Sequence, residues 1–134
     1  MEWMLLPLKR YADFNGRSSR REFWMFAALH ALVALLFYVP LSGIFFRGMA
    51  GVLPATLGVI VPLLGLYVAV MFVPGLAVQV RRFHDLGRPG WMVLIGFVPV
   101  VGVFAILYFM CLPGTSGPNR YGADPVAEDV AIRP

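Results

Sequence analysis

Three arginines, a histidine and an aspartate lie close together in a polar island between two long apolar runs. The island reads Arg81-Arg82-Phe83-His84-Asp85-Leu86-Gly87-Arg88-Pro89-Gly90-Trp91. Guanidinium groups bind phosphate and carboxylate through paired hydrogen bonds, and a histidine held by a neighbouring acid titrates near neutral pH. One interpretation is therefore an anion site. The other is a basic loop that fixes membrane orientation, with Asp85 as a partial counter-charge.

The spacing of residues within the island allows two alternative ion pairs for Asp85. Arg81 and Asp85 are four residues apart and Arg82 and Asp85 three apart, so either pair is able to meet on one helical face. Gly87 and Pro89 indicate that a helix does not continue past this point.

A second basic cluster, Arg17, Arg20 and Arg21, precedes the first apolar run. Ser19 and Glu22 have the spacing of a capping box at a helix start. We expect this cluster on the same membrane face as the island, where the two together would clamp one anionic lipid headgroup. The alternative is that these arginines only set the orientation of the chain in the membrane and stand at the start of a helix.

The elements that must position these residues are apolar. Hydrophobic residues make up 60% of the 134 and charged residues 13%, against about 25% charged in soluble domains. Three uncharged runs, 23–46, 52–80 and 91–112, are each long enough to cross a hydrocarbon core of about 30 Å. A short connection separates the first two at 47–51.

These runs predict an all-α membrane protein with one domain, a bundle of about three transmembrane helices. Residues 1–22 form an interfacial or cytoplasmic flank and residues 113–134 a polar tail. The run 52–80 exceeds one perpendicular span, so it is either a single tilted helix or contains a re-entrant segment.

Positive charge predicts the orientation. Lys and Arg are concentrated in the N-terminal flank and in the 81–90 loop, so both are expected on the cytoplasmic side. A three-span order then puts the tail residues Asn119, Arg120 and Asp124 on the opposite side, away from the island. A re-entrant segment would bring them back to it.

Few other residues suggest chemistry. His30 lies within a span, where it serves either helix packing or a functional role. Cys111 lies in an apolar run and is expected to be a small core residue. No spacing of ligands predicts a metal site, and no cofactor or catalytic residue is indicated.

Three segments resemble a known family. They are 14–24 (Phe-Asn-Gly-Arg-Ser-Ser-Arg-Arg-Glu-Phe-Trp), the island 81–91, and Pro113-Gly114-Thr115 with Asn119-Arg120-Tyr121-Gly122-Ala123-Asp124-Pro125. In this order they resemble the bacterial family catalogued as domain of unknown function 805, the YhaH-like inner-membrane proteins. The resemblance implies a multi-pass protein of the bacterial inner membrane. It implies no activity.

The expected function is non-enzymatic. The basic cytoplasmic face is predicted to bind anionic lipid headgroups or a membrane partner, through Arg17, Arg20, Arg21, Arg81, Arg82, His84, Asp85 and Arg88. Nucleic acid is not an expected partner, because the basic residues adjoin apolar runs. The alternative function is a small transporter or channel component that works as a homo-oligomer, since stripes of small residues such as Gly58 and Gly65 favour helix association.

Overall fold

The computed structural model describes residues 2–47 and 53–127, whose regular structure is helical. The helices are α1 (Glu2–Lys9), α2 (Arg20–Arg47), α3 (Leu53–Asp85), a 3₁₀ helix (Gly90–Phe97) and α4 (Val101–Cys111). Within these described ranges there is no β-strand, which confirms the all-α prediction. Of the predicted connection 47–51, residues 48–51 lie outside the described residues, as do residues 128–134 of the predicted tail.

Two helices, α2 and α3, are long and apolar enough to cross a membrane, over Arg20–Val39 and Leu57–Asp85. Only 11% and 6% of their most apolar windows are buried inside the protein. A core helix of a soluble protein would be mostly buried, whereas here large apolar side chains such as Leu36 and Leu66 are exposed. An exposed helix that is apolar on all sides is stable in lipid.

The second long run forms one helix. α3 contains Pro62 and Pro74 without interruption and continues to Asp85. Its 33 residues extend about 50 Å at 1.5 Å per residue, more than a hydrocarbon core of about 30 Å. Of the two alternatives for 52–80, the structure therefore has a continuous helix over the described part, and the excess length extends into the polar island.

A glycine ends α3 inside the predicted 81–90 loop. Gly87 has a φ of +69°, and the N–H of Arg88 donates to the carbonyl oxygen of Phe83 at 2.9 Å. This is the usual glycine-terminated helix end, in which a left-handed residue turns the chain away. The island is consequently helical up to Asp85, and only residues 86–89 form a loop before the 3₁₀ helix begins at Gly90.

Residues 91–112 form a hairpin of two short helices. The chain turns at Pro99, which has no backbone N–H to continue a helix, and at Val100, which has a φ of +63°. The two short helices then approach closely at Gly102, where a Cβ would collide with the backbone oxygen of Ile95. The 11 residues of α4 extend about 17 Å, roughly half of a hydrocarbon core. The run 91–112, predicted as a third span, is therefore two short helices and not one long helix.

The hairpin returns to the end of α3 from which it starts. At its beginning, Gly90 lies so close to α3 that a Cβ would be 2.7 Å from Val80 Cγ1. At its end, the carbonyl oxygen of Leu112 accepts a hydrogen bond from Arg82. Residues 113–127 thus lie beside the island, whereas the three-span order predicted them at the opposite end.

The N-terminal segment forms α1, which packs against α2 and α3 with Pro7 buried. After it, the Tyr11 hydroxyl donates to the carbonyl oxygen of Val70 at 2.5 Å. Val70 is four residues before Pro74, which has no N–H to donate to that oxygen. Tyr11 therefore supplies the hydrogen bond that the proline removes from α3.

We expect Tyr11→Phe to lower the free energy of unfolding by about 1 kcal/mol, because the Val70 carbonyl loses its donor. In a Pro74→Ala background the helix restores the donor, so the same substitution should cost much less. Unfolding in detergent measures both effects, with Tyr108→Phe on the exposed face of α4 as the control. Equal losses in the two backgrounds would contradict this role of Tyr11.

Candidate functional site

The polar island is organised around Asp85, the last residue of α3. Its Oδ1 accepts a hydrogen bond from Arg17 Nε at 2.9 Å, and its Oδ2 accepts one from Arg82 Nη1. The three side chains are at most 5% exposed, and we call Arg17, Arg82 and Asp85 the buried triad. Of the two pairings that the sequence left open for Asp85, the one with Arg82 forms.

The arginines of the buried triad also hold the C-terminal segment. Arg17 donates to the carbonyl oxygens of Thr115 at 2.5 Å and Gly117 at 2.6 Å. Arg82 donates to the carbonyl oxygen of Leu112. A guanidinium has five N–H donors, so one side chain can bind a carboxylate and backbone carbonyls together. The triad thereby joins the segment before α2, the end of α3 and the segment after α4.

The C-terminal segment in turn caps α3. The last carbonyls of a helix have no donor within it, and Thr115 donates both its N–H (2.9 Å) and its hydroxyl (3.0 Å) to the carbonyl oxygen of Asp85. Asn119 Nδ2 donates to the carbonyl oxygen of His84 at 3.0 Å. Asn119, predicted only as a tail contribution, is therefore part of this site.

Arg81 pairs with Glu22. Arg81 Nη2 lies 3.1 Å from Glu22 Oε1, an ion pair without hydrogen-bond geometry, and both side chains are at most 3% exposed. The backbone of the two elements is also joined, because the N–H of Ser18 donates to the carbonyl oxygen of Arg81 at 3.1 Å. The predicted cap forms in part: Ser19 Oγ accepts from the N–H of Glu22 at 3.2 Å, while the carboxylate faces Arg81.

The buried cluster carries an excess of positive charge. It contains the guanidinium groups of Arg17, Arg81 and Arg82 but only the carboxylates of Glu22 and Asp85. A buried charge without a counter-charge is costly unless polar groups solvate it. Backbone carbonyls serve this purpose here, and an anion bound beside the cluster would balance it further.

His84 has no acidic partner in the described structure, contrary to the expectation for an acid-held histidine. Its Nδ1 lies 3.2 Å from the carbonyl oxygen of Gly16. Its ring stacks on Tyr121, with centroids 3.9 Å apart and 4° between the planes. Arg120 also contacts Tyr121, with its Cζ 4.7 Å from the ring centroid, and donates to the carbonyl oxygen of Gly87 at 3.2 Å. His84 and Arg120 therefore hold the C-terminal loop in place.

A cavity of about 620 Å³ lies beside the buried triad, between the start of α2 and the C-terminal segment. Arg20 and Arg21 line it and are both exposed. Arg88 is not among the residues that line this cavity, and its guanidinium instead lies 5.1 Å from the ring centroid of Phe109. The six arginines predicted for the site therefore have three different positions. Three are in the buried cluster, Arg20 and Arg21 are exposed at the cavity, and Arg88 contacts an aromatic ring elsewhere.

Asp124 lies at the edge of this cavity and closes the C-terminal loop. The backbone N–H groups of Val126 (2.9 Å) and Gly117 (3.0 Å) donate to its carboxylate. These hydrogen bonds lower the pKa of Asp124 below its ordinary value, because they favour the ionised form.

Metal binding finds no support among residues 2–47 and 53–127, where no group of three or more His, Cys, Asp or Glu side chains is placed to hold an ion. Cys111 was predicted in the core but is exposed as the last residue of α4. His30 contacts the backbone of its own helix, with Nδ1 2.9 Å from the carbonyl oxygen of Phe26, and its ring centroid lies 5.7 Å from that of Tyr67 in α3.

The segments that meet at this end of the molecule are those that carry the family resemblance. A family model described as "Protein of unknown function (DUF805)" matches residues 11–123. The chain belongs to the DUF805 family. No solved structure matches it.

Two relatives of this DUF805 chain come from Escherichia coli K12. Inner membrane protein YhaI is 40% identical over 126 residues, covering 93% of this chain and 96% of the relative. Inner membrane protein YhaH is 38% identical over 130 residues, covering 96% and 99%. With the two long apolar helices, these names confirm a membrane protein and support a bacterial inner-membrane location.

Sequence reasoning missed Glu22, Gly114 and Thr115 as members of this site. Glu22 looked like a cap, and the Pro-Gly-Thr motif looked like turn chemistry. A Cβ on Gly114 would collide with Asp85 Oδ2 and lie 2.7 Å from its Cγ, so the close approach requires glycine. The available signal was the presence of this motif among the segments shared with the DUF805 family.

We expect Gly114→Ala to displace the C-terminal segment and to destabilise the protein by about 3 kcal/mol, because the buried triad prevents Asp85 from moving aside. Limited proteolysis in detergent should cleave within 113–127 faster than in the wild type. Gly65→Ala is the matched control, since a Cβ there meets nothing within 4 Å. Unchanged proteolysis of Gly114→Ala would contradict the packing described.

Proposed function

We propose that this DUF805 protein crosses the inner membrane twice, through α2 and α3, and that the 3₁₀ helix and α4 enter it as a re-entrant hairpin from the cytoplasmic side. The return of the hairpin to the end of α3 supports this topology. So does the charge distribution. The structure describes ten Lys and Arg residues. Nine of them lie before α2, in its first two residues, in the last five residues of α3 or after α3. The tenth, Arg47, is at the other end of α2.

The topology predicts the side of the C-terminus. A green fluorescent protein fused after residue 134 should fluoresce and an alkaline phosphatase fusion there should be inactive, because both termini lie in the cytoplasm. The same reporters at the N-terminus provide the control and should give the same pattern. An active phosphatase at the C-terminus would contradict two spans and favour the three-span order.

We further infer that the protein is not an enzyme and binds an anionic lipid headgroup in the cavity beside the buried triad. The observation that supports this function is that two exposed arginines, Arg20 and Arg21, line a cavity next to a buried cluster with excess positive charge. Arg20 and Arg21 form no ion pair among the described residues, and Arg20 donates only to the carbonyl oxygen of Cys111, at 3.3 Å. A headgroup phosphate would take these donors.

The position of the cavity favours a lipid as the source of the phosphate. It adjoins the first residues of α2, where the chain passes from polar flank to apolar helix. Trp24 and Trp91 are exposed near this end, as aromatic residues at the membrane interface usually are.

The lining of the cavity supports binding rather than catalysis. It contains hydroxyl groups from Ser19, Thr115 and Ser116 but no histidine or cysteine. A serine or threonine hydroxyl is a weak nucleophile without an adjacent base. The carboxylate of Asp85, which also lines the cavity, is already bound by two arginines.

Arg20→Gln/Arg21→Gln is expected to reduce retention of phosphatidylglycerol about tenfold, because each charge-assisted hydrogen bond to the phosphate contributes binding free energy. Native mass spectrometry after extraction from vesicles of phosphatidylglycerol and phosphatidylethanolamine measures it. Lys9→Gln/Arg88→Gln removes the same charge at two exposed residues outside the cavity and should retain the lipid. Equal retention by both variants would count against the site, and displacement by glycerol phosphate would indicate a soluble ligand.

The oligomeric transporter stays a prediction. One chain with two long helices and a short hairpin has too few helices to surround a pore, so this function needs several copies. Gly58 and Gly65, on the stripe that motivates it, have open space around them within the single chain.

A further inference from the structure

A second cavity, of about 360 Å³, lies between α2, α3 and the 3₁₀ helix. Its volume falls within the range of small-molecule sites. Most of its lining is apolar, with Phe72 and Phe97 among the larger side chains. Three polar residues also line it: His30, Tyr67 and Gln79. It is separate from the cavity beside the buried triad.

This crevice extends to membrane depth. His30 is ten residues into α2 from Arg20, about 15 Å along the helix and near the middle of a hydrocarbon core of about 30 Å. Tyr67 lies against it, with ring centroids 5.7 Å apart. Polar groups at this depth are costly and therefore mark functional positions more often than polar groups elsewhere.

The two deep residues offer complementary hydrogen-bonding groups. His30 Nδ1 lies 2.9 Å from the carbonyl oxygen of Phe26, which can only accept, so a hydrogen bond there requires the tautomer with its proton on Nδ1. In the neutral ring Nε2 is then an acceptor. The Tyr67 hydroxyl is buried and has no hydrogen-bond partner in the described chain. A donor and an acceptor are therefore carried by two rings that line the same crevice with centroids 5.7 Å apart, and an unsatisfied buried hydroxyl is destabilising.

We propose that this crevice binds a lipid-soluble ring compound of the quinone and quinol class. A ring oxygen accepts from the Tyr67 hydroxyl, and a quinol hydroxyl donates to His30 Nε2. The ring packs against the aromatic lining and the apolar tail follows the remaining lining into the lipid. Acyl chains of phospholipids carry no oxygen at this depth, because their ester groups lie at the interface, so they would leave Tyr67 unsatisfied.

Isothermal titration of the detergent-solubilised protein with a decyl-substituted benzoquinone, and with its quinol, tests the proposal. We expect saturable binding at one site per chain. Tyr67→Phe removes a single oxygen and keeps the ring, and it should weaken binding about fivefold. Tyr108→Phe, on the exposed face of α4, should leave the affinity unchanged.

A second variant fills the crevice without altering its polar groups. Gly75 lines the cavity and a Cβ there meets nothing within 4 Å, so Gly75→Leu should abolish binding while the protein stays folded. Decylbenzene, which lacks the oxygens, should compete poorly. The proposal is overturned if binding does not saturate, if decylbenzene competes equally, or if Tyr67→Phe and Gly75→Leu bind as the wild type does.

Discussion

A carboxylate buried at the end of a membrane helix needs fixed positive partners, and here Arg17 and Arg82 bind both oxygens of Asp85. Removing one partner from such a buried pair typically costs about 3–5 kcal/mol, because the remaining charge is left without solvation. The two arginines reach Asp85 from different elements. Their remaining donors then reach the carbonyl oxygens after α4, so one ionic contact determines where three segments of the chain lie.

The return of the hairpin depends on the same constraint. Most surfaces of α2 and α3 are apolar and exposed, so contacts between them provide little that would direct a polar segment to one end. The orphan carbonyls of α3 and the guanidinium groups of the buried triad provide that direction. Thr115 and Asn119 satisfy the carbonyls, while Gly114 lets the backbone approach the carboxylate closely.

The two cavities differ in the solvent around them, and this decides what each is suited to bind. In the proposed topology the cavity at the polar end adjoins water and headgroups, and arginines border it, so a phosphate group suits it. The crevice between α2 and α3 lies among apolar side chains, where a single unsatisfied hydroxyl has a large effect. The proposed ligands follow from these environments.

The sequence by itself determined the helical class, the membrane setting and the family, because apolar run length and short motifs are local properties. It also identified Arg17, Arg82 and Asp85 as members of a site. Only the tertiary structure decided that residues 91–112 fold back, that Arg81 pairs with Glu22, and that the C-terminal segment completes the site. Hydropathy measures the preferred solvent of a segment and is the same for a spanning helix and a hairpin. Which arginine meets which carboxylate depends on how segments distant in sequence come together, and the spacing of residues along one chain does not contain that information.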